Sequence, residues 1–237
     1  MNKMAFRFKQ FTVNDHNSAL KVGTDAVLLG AWAGGGKPEK ILDVGTGCGL
    51  LSLMLAQRFQ NSQITAIDIH EGSLLDAREN FKSSPWSDRL LALHKSLQVF
   101  TLERQATYDL IICNPPFFNR SLLPPDNNKK IAKHSGELSY GELTEAASLL
   151  LNPSGKLAMI LPYENRELFR KIAENDRLYC TRELIINPVA GKKPNRYLSE
   201  WDFKNEAHIT GELNIRDKNH NYTNEYQLLT GDFYLAH

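Results

Sequence analysis

Large apolar and polar side chains alternate along residues 4–13, the two-residue period of a half-buried strand. Asn14-Asp15-His16-Asn17-Ser18 ends it as a turn. Ala26 to Trp32 has helical spacing, and Thr24 or Asp25 offers an oxygen to cap that helix. Gly34-Gly35-Gly36-Lys37-Pro38 reads as a linker. Beyond it, short apolar runs alternate with longer amphipathic ones. Ile41 to Val44, Ile64 to Asp68 and a weaker Leu90 to Leu93 read as strands; Leu50 to Phe59 and Glu71 to Phe81 read as helices. Tyr108 to Cys113 is an apolar run typical of a buried strand, followed by a long polar stretch at 118–137. Ser139 to Leu151 reads as a helix, Lys156 to Leu161 as a strand, and Pro162 opens a helix running to about Asn175. Leu178 to Asn187 and Arg196 to Phe203 are strand-like and joined by the basic turn Gly191-Lys192-Lys193-Pro194-Asn195. His208 to Ile215 reads as another strand, and Tyr222 to His237 is mixed.

Strands that alternate with helices up to residue 175 predict an α/β fold, a mostly parallel sheet with helices on both faces. The late hairpin is the exception, an antiparallel partner inside that sheet. Ligands of such sheets bind at the carboxyl ends of the strands, so the residues that follow each predicted strand are the ones to examine.

Composition narrows the partners. The 237 residues are 42% hydrophobic and 23% charged, with a formal net charge of +1. Nucleic-acid binding therefore has to rest on a local basic patch rather than on overall charge. Three widely spaced cysteines, Cys48, Cys113 and Cys180, fit neither a disulfide framework nor a zinc site and suit a reducing compartment. Met1 to Phe11 lacks the apolar stretch of a secretory signal, and no apolar run approaches membrane-spanning length. The expectation is a cytoplasmic protein without metal, working as a monomer, its 237 residues one domain: an N-terminal extension over 1–38 and a core over 39–237.

Two stretches carry the chemistry. Gly45-Thr46-Gly47-Cys48-Gly49 links a strand to a helix, where glycines admit positive φ and let a ligand approach the backbone. Asp43 stands just before it, and Asp68 ends the next strand, where an acid reaches a ribose diol. The spacing is not G-x-G-x-x-G, since position 50 is Leu. An acid before the glycines is a poor neighbour for a pyrophosphate and suits a cationic ligand such as S-adenosyl-L-methionine. An NAD site and a ligand-free tight turn are the alternatives. The second stretch is Asn114-Pro115-Pro116-Phe117. Paired prolines end the strand as a stiff turn. The Asn114 side-chain oxygen and the Pro115 carbonyl can accept hydrogen bonds from an exocyclic amine, and Phe117 offers a π-face. A strand-ending turn with a buried Phe is the plainer reading. Cys48 reads as a small packing residue.

Together Asp43-Val44-Gly45-Thr46-Gly47-Cys48-Gly49 and Asn114-Pro115-Pro116-Phe117 resemble the class I S-adenosylmethionine-dependent amino-methyltransferases. The resemblance extends to Phe8-Lys9-Gln10-Phe11, to Lys21 through Trp32 with its Lys-Val-Gly-Thr-Asp start, and to Leu229-Thr230-Gly231-Asp232-Phe233-Tyr234-Leu235. Over nearly the whole chain it is similar to the bacterial valine-tRNA adenine-N6 methyltransferases, which act on the adenine 3′ of the anticodon. The resemblance implies a Rossmann-like fold with a seven-stranded, mostly parallel sheet and an antiparallel C-terminal hairpin. It puts Gly23, Thr24 and Asp25 near the methionine end of the cofactor, Asp43, Gly45, Gly47 and Gly49 at its methionyl and ribose parts, and Asp68 on the ribose hydroxyls. Many relatives of the fold carry an acid for the cofactor's adenine after the third strand; here Ser96 is the polar substitute.

RNA also needs phosphate contacts. Arg120, Lys129, Lys130 and Lys133 lie in or beside the long loop, Lys192, Lys193 and Arg196 in the late turn, and Lys3, Arg7 and Lys9 near the start. His134 is a candidate for the loop's inner face. Three functions remain: a tRNA adenine methyltransferase, reading the anticodon loop; a methyltransferase for protein glutamine or for amino groups of DNA or rRNA, which the same tetrapeptide suits; and a non-catalytic RNA-binding protein with a vestigial cofactor fold.

Overall fold

The computed structural model describes residues 5–103, 107–115, 138–206 and 208–235. Ten strands and seven α-helices lie within them. In chain order these are β1 (Phe6–Arg7), β2 (Thr12–Val13), α1 (Thr24–Trp32), β3 (Lys40–Val44), α2 (Leu50–Arg58), β4 (Gln63–Asp68), α3 (Glu71–Lys82), β5 (Leu90–His94), α4 (Leu97–Glu103) and β6 (Tyr108–Cys113). There follow α5 (Tyr140–Leu150), β7 (Leu151–Pro162), α6 (Arg166–Asn175), β8 (Tyr179–Val189), β9 (Arg196–Asp202), β10 (Ile209–Arg216) and α7 (Asn224–Thr230).

The central sheet has the order β10-β8-β9-β7-β6-β3-β4-β5. Only β9 runs against the rest, hydrogen-bonded antiparallel to β7 and β8. The alternation of strand and helix therefore produces the parallel α/β sheet it predicted, with the late hairpin as its antiparallel element. The sheet has eight strands rather than seven. The eighth is β10, which pairs parallel with the outer edge of β8 from Ile209↔Arg182 to Arg216↔Val189. Its side chains mix polar and apolar, as suits a strand with one open edge.

Alternate residues of the inner strands fill two layers. Leu42, Val44, Ile111, Cys113, Leu157 and Met159 meet α5 and α6 through Leu143, Ala147 and Phe169. Ile41, Ile64, Ile112, Ala158 and Ile160 meet α1 and α2 through Leu28, Leu29, Leu51 and Leu55. Helices α1 and α2 lie side by side and point the same way. The ideal Cβ of Gly30 would come within 2.7 Å of Met54 Sδ, and Arg58 at the end of α2 donates to the carbonyls of Gly30 and Ala33 at the end of α1. The two helices therefore start together at the carboxyl edge of the sheet.

Three local differences have clear causes. Of the run 4–13, the described residues 5–13 do not form one strand: Phe8 and Phe11 both turn inward, so β1 and β2 fold into a separate hairpin closed by Phe8 N–H to the Phe11 carbonyl. Helix α1 is capped by Gly23 without a side-chain bond, because the Asp25 carboxylate is occupied elsewhere. Pro162 both ends β7 and opens the helical stretch to Asn175, whose first turn, Tyr163–Asn165, is a 3-10 turn before α6 begins at Arg166. The short helix α4, absent from the apolar pattern, starts where Ser96 Oγ accepts the Val99 N–H.

Candidate functional site

Asp43 is fully buried near the carboxyl end of β3. Its Oδ2 accepts from Thr46 Oγ and Ser52 Oγ, each at 2.7 Å. Its Oδ1 is buried and accepts nothing from the described residues. Burial pushes the carboxyl up to about 6, against the opposing pull of the two hydroxyls; the nearby Asp68 charge adds to the rise. A carboxylate held this way has one oxygen fixed by the protein and one free for a cationic or N–H-bearing ligand.

The three glycines that follow have positive φ, 70°, 57° and 85°. They are not equivalent. A Cβ on Gly45 or Gly47 would meet nothing within 4 Å, so open space lies before them. A Cβ on Gly49 would fall 2.4 Å from Phe81 Cε1, so this glycine serves the packing of α3 on the turn. The turn is pinned to β4: Gly45 and Thr46 donate to the Ile67 carbonyl, and Gly47 donates to Asp68 Oδ2 at 2.8 Å. Asp68 Oδ1 takes the His70 N–H. The half-buried Asp68 carboxylate is thereby aimed, with lone pairs left on both oxygens.

Strand register brings the pieces into a row. Val44 pairs with Cys113, so Gly45 and Asn114 leave adjacent strands at the same level, roughly 5 Å apart. Val44 also pairs with Ile67, and Asp68 with His94, two residues before Ser96. Asn114, Gly45, Asp68 and Ser96 thus mark the carboxyl ends of four neighbouring strands. Asn114 Oδ1 is buried with no hydrogen-bond partner among the described residues, and Pro115 beside it is buried. Orphaned acceptors are rare in folded proteins and ask for a donor. Pro116 and Phe117 lie outside the described residues, as do Lys3, Arg120, Lys129, Lys130, Lys133 and His134.

Thr24 and Asp25 come to the same edge at the start of α1. Asp25 Oδ2 accepts from Arg196 Nε at 2.9 Å, so a residue expected at the cofactor and one expected at RNA form a single ion pair. Lys192 and Lys193 are exposed at the β8–β9 tip. Lys9 is on the other hand engaged by the Gly231 carbonyl, and Arg7 sits exposed in β1. Cys48 is buried and pushed up to about 12 by burial, which suits packing and not nucleophilic attack.

Sequence reasoning missed a clamp beside the turn. Asp76 on α3 accepts from the N–H and side chain of both Asn17 and Ser18, all at 2.8 Å. Asn80, one helical turn on, bonds the Asn14 N–H and carbonyl and the Cys48 carbonyl. Residues 14–18 are thereby fixed next to the glycines. The signal was two polar residues at i and i+4 on the otherwise buried face of α3.

Comparison with known proteins accords with this geometry. Residues 22–172 match the family model described as Methyltransferase small domain. The tRNA1(Val) (adenine(37)-N6)-methyltransferase of Trichodesmium erythraeum is 42% identical over 98% of this chain and 98% of its own length. The chain belongs to the tRNA1(Val) (adenine(37)-N6)-methyltransferase family. A member from Parabacteroides distasonis is 40% identical over 97% of both chains. Among solved structures, a predicted O-methyltransferase from Agrobacterium tumefaciens superposes with a TM-score of 0.69 at 18% identity, over 90% of this chain and 99% of its own; that likeness speaks to the fold. The cofactor of this methyltransferase family is S-adenosyl-L-methionine, and the residues present fit it. The free oxygen of Asp43 suits a cationic group, the open space before Gly45 and Gly47 admits a ligand against the backbone, and Asp68 presents acceptors for hydroxyls.

Proposed function

We propose that the chain methylates N6 of adenine 37 in valine tRNA, with S-adenosyl-L-methionine as donor. The observation that carries this reading is the buried, unpartnered Oδ1 of Asn114, one strand from the glycine turn. The tRNA substrate follows from full-length relatedness to enzymes named for it.

The N6 amine is a weak nucleophile because its lone pair is delocalised into the purine. Asn114 Oδ1 and the Pro115 carbonyl accept its two hydrogens, which orients the amine and favours a pyramidal nitrogen. The cofactor, when bound, supplies an electrophilic methyl on a sulfonium and a neutral thioether leaving group. The methylated nitrogen would then shed one proton to solvent, so no strong base is needed; the chain's contribution is alignment, which is worth up to roughly 7–11 kcal/mol for well-oriented reactants. Asp43, Gly45, Gly47 and Gly49 receive the methionyl and ribose parts, with Gly23, Thr24 and Asp25 at the methionine end. Asp68 takes the ribose hydroxyls and Ser96 the adenine. Phe117 is assigned to stacking on the target base on the resemblance alone, and Arg120, Lys129, Lys130 and Lys133 to phosphates likewise. Lys192, Lys193 and Arg196 extend that contact on the β8–β9 hairpin, beside the anticodon loop. The protein works as a monomer in the cytoplasm, one domain over 1–237, since α1 and the N-terminal hairpin pack onto the core they precede.

Incubation with methyl-labelled S-adenosylmethionine and either bulk tRNA or release-factor protein tests this. Label is expected in N6-methyladenosine of valine tRNA. Label in protein would establish the glutamine reading instead, and no label anywhere the non-catalytic one.

A further inference from the structure

The carboxyl edge of the sheet holds a cavity of about 290 Å³ that adjoins the site described above through Thr24, Asp25 and Arg196 and extends away from it towards β10. Thr24, Asp25, Asn195, Arg196, Arg216 and Tyr222 line it, over a floor that includes Ile186 and Tyr226. Arg216 ends β10. Its guanidinium lies over the Tyr222 ring at 4.1 Å, and Tyr222 stacks in turn on Tyr226, with centroids 5.0 Å apart. A single N–H of that guanidinium is used, by the His220 carbonyl. The remaining four of an arginine's five donors meet no acceptor among the described residues.

That sets Arg216 apart from other half-buried arginines here. Arg166 sits on the buried carboxylate of Glu183, and Arg182 on that of Glu200. The acids around the cavity are engaged: Asp25 by Arg196, and Asp217 by the N–H groups of Asn219 and Asn221. Glu212 takes the Asn187 amide. Around the mouth, the Lys218 side chain passes over Gly191, next to exposed Lys192 and Lys193, and Ala190 N–H bonds the Arg216 carbonyl. Two turns thus join into one basic rim around a cation that keeps four donors unused among the described residues and whose plane is held by stacked tyrosines. A planar, preset guanidinium is suited to a phosphodiester.

We propose that this cavity holds a phosphodiester of the substrate RNA on Arg216, the strand running along the sheet edge past Arg196 to the base at Asn114. The proposal rests on the RNA reading above. Arg196 begins a strand two places from β6 and Arg216 ends one four places away, so the cavity lies about 10–20 Å from Asn114. At about 3.4 Å per phosphate of a stacked strand, that is roughly three to six nucleotides from the target.

The test is the affinity of wild-type protein, Arg216→Ala and Arg216→Lys for unmodified valine tRNA between 50 and 200 mM salt (a range of about that span suffices). Cofactor affinity by calorimetry, melting temperature and methyl transfer are measured on the same samples. Arg216→Ala is expected to bind tRNA about tenfold more weakly and to lower the slope of log affinity against log salt by about one, with cofactor affinity unmoved. Arg216→Lys, which keeps the charge, is expected to keep the slope. Wild-type tRNA affinity and slope in Arg216→Ala would overturn the proposal. So would a loss confined to the cofactor, which would make the cavity the methionine end of the donor site. A shared fall in melting temperature with the wild-type slope retained in both variants would make Arg216 structural and overturn it too. Wild-type protein that binds tRNA in an Arg216-dependent way without methylating it would uphold this site and refute the activity proposed above.

Discussion

Truncating Asn114 to alanine separates stability from activity. A buried acceptor left without a donor costs about 1–3 kcal/mol relative to a satisfied one, and Asn114 Oδ1 has no donor among the described residues. Alanine removes that penalty. It also removes buried carbon, a loss of about 1 kcal/mol. The net is a gain of about 0–2 kcal/mol, so the variant should fold at least as stably as the wild type. For a chain this long, that raises the melting temperature by at most about 4–8 °C. Catalysis has no such compensation. Removing one preorganised group aimed at the reacting atoms typically lowers kcat by about 10²–10³, or about 3–4 kcal/mol. Single-turnover methyl transfer to valine tRNA, calorimetric cofactor binding and a thermal melt on one preparation read all three quantities. Turnover within about tenfold of wild type, together with lost cofactor affinity, would refute the reasoning, since Asn114 would then serve the donor rather than the acceptor base.

Three further outcomes follow from the site. Gly49→Ala should lower the melting temperature by about 6–10 °C, from left-handed strain plus the clash with Phe81, whereas Gly47→Ala should lower it by only about 2–4 °C yet lose most cofactor affinity, because its methyl enters open space; equal melts for the two would contradict this division. Asp43, raised to about 6 by burial, keeps its proton in the folded protein between about pH 4 and 6, where the unfolded chain has lost it, so stability should fall as pH rises through that window by on the order of 3 kcal/mol. Denaturant unfolding across pH 4–7 measures the slope, and Asp43→Asn should flatten it. Removing both Lys192 and Lys193 should weaken tRNA binding and reduce its salt dependence by up to about two units of slope; an unchanged slope in filter binding would show that the hairpin tip does not meet phosphate.

Much of this arrangement was legible in the residues, for identifiable reasons. Strand and helix types follow local period, so the parallel sheet and its β9 exception could be read directly. Asp43, the glycines, Asp68 and Asn114 could be found because each directly follows or ends an apolar run, and parallel sheets collect such positions at one edge. Three things were not legible. The cap of α1 went to Gly23 because Asp25 pairs with Arg196, 171 residues away, a choice no local rule contains. The clamp from Asp76 and Asn80 depends on residues 14–18 reaching α3 from a distant part of the chain. Arg216 lies one residue past the strand pattern of His208 to Ile215 and carries no local signal; only the fold sets it over Tyr222 beside Arg196.

The reversed strand has a consequence for the rim. Because β9 runs opposite to its neighbours, the β8–β9 connection emerges on the reactive rim and needs no crossover helix. Its tip is anchored at both ends by Asn195 N–H to Ile186 and by Ala190 N–H to Arg216, while Gly191, Lys192 and Lys193 project free of the core. Length and charge at that tip are open to change without disturbing a single interior contact. A change of length or charge there would alter what the rim presents to a macromolecule, while the methyl-donor half of the molecule stays as it is.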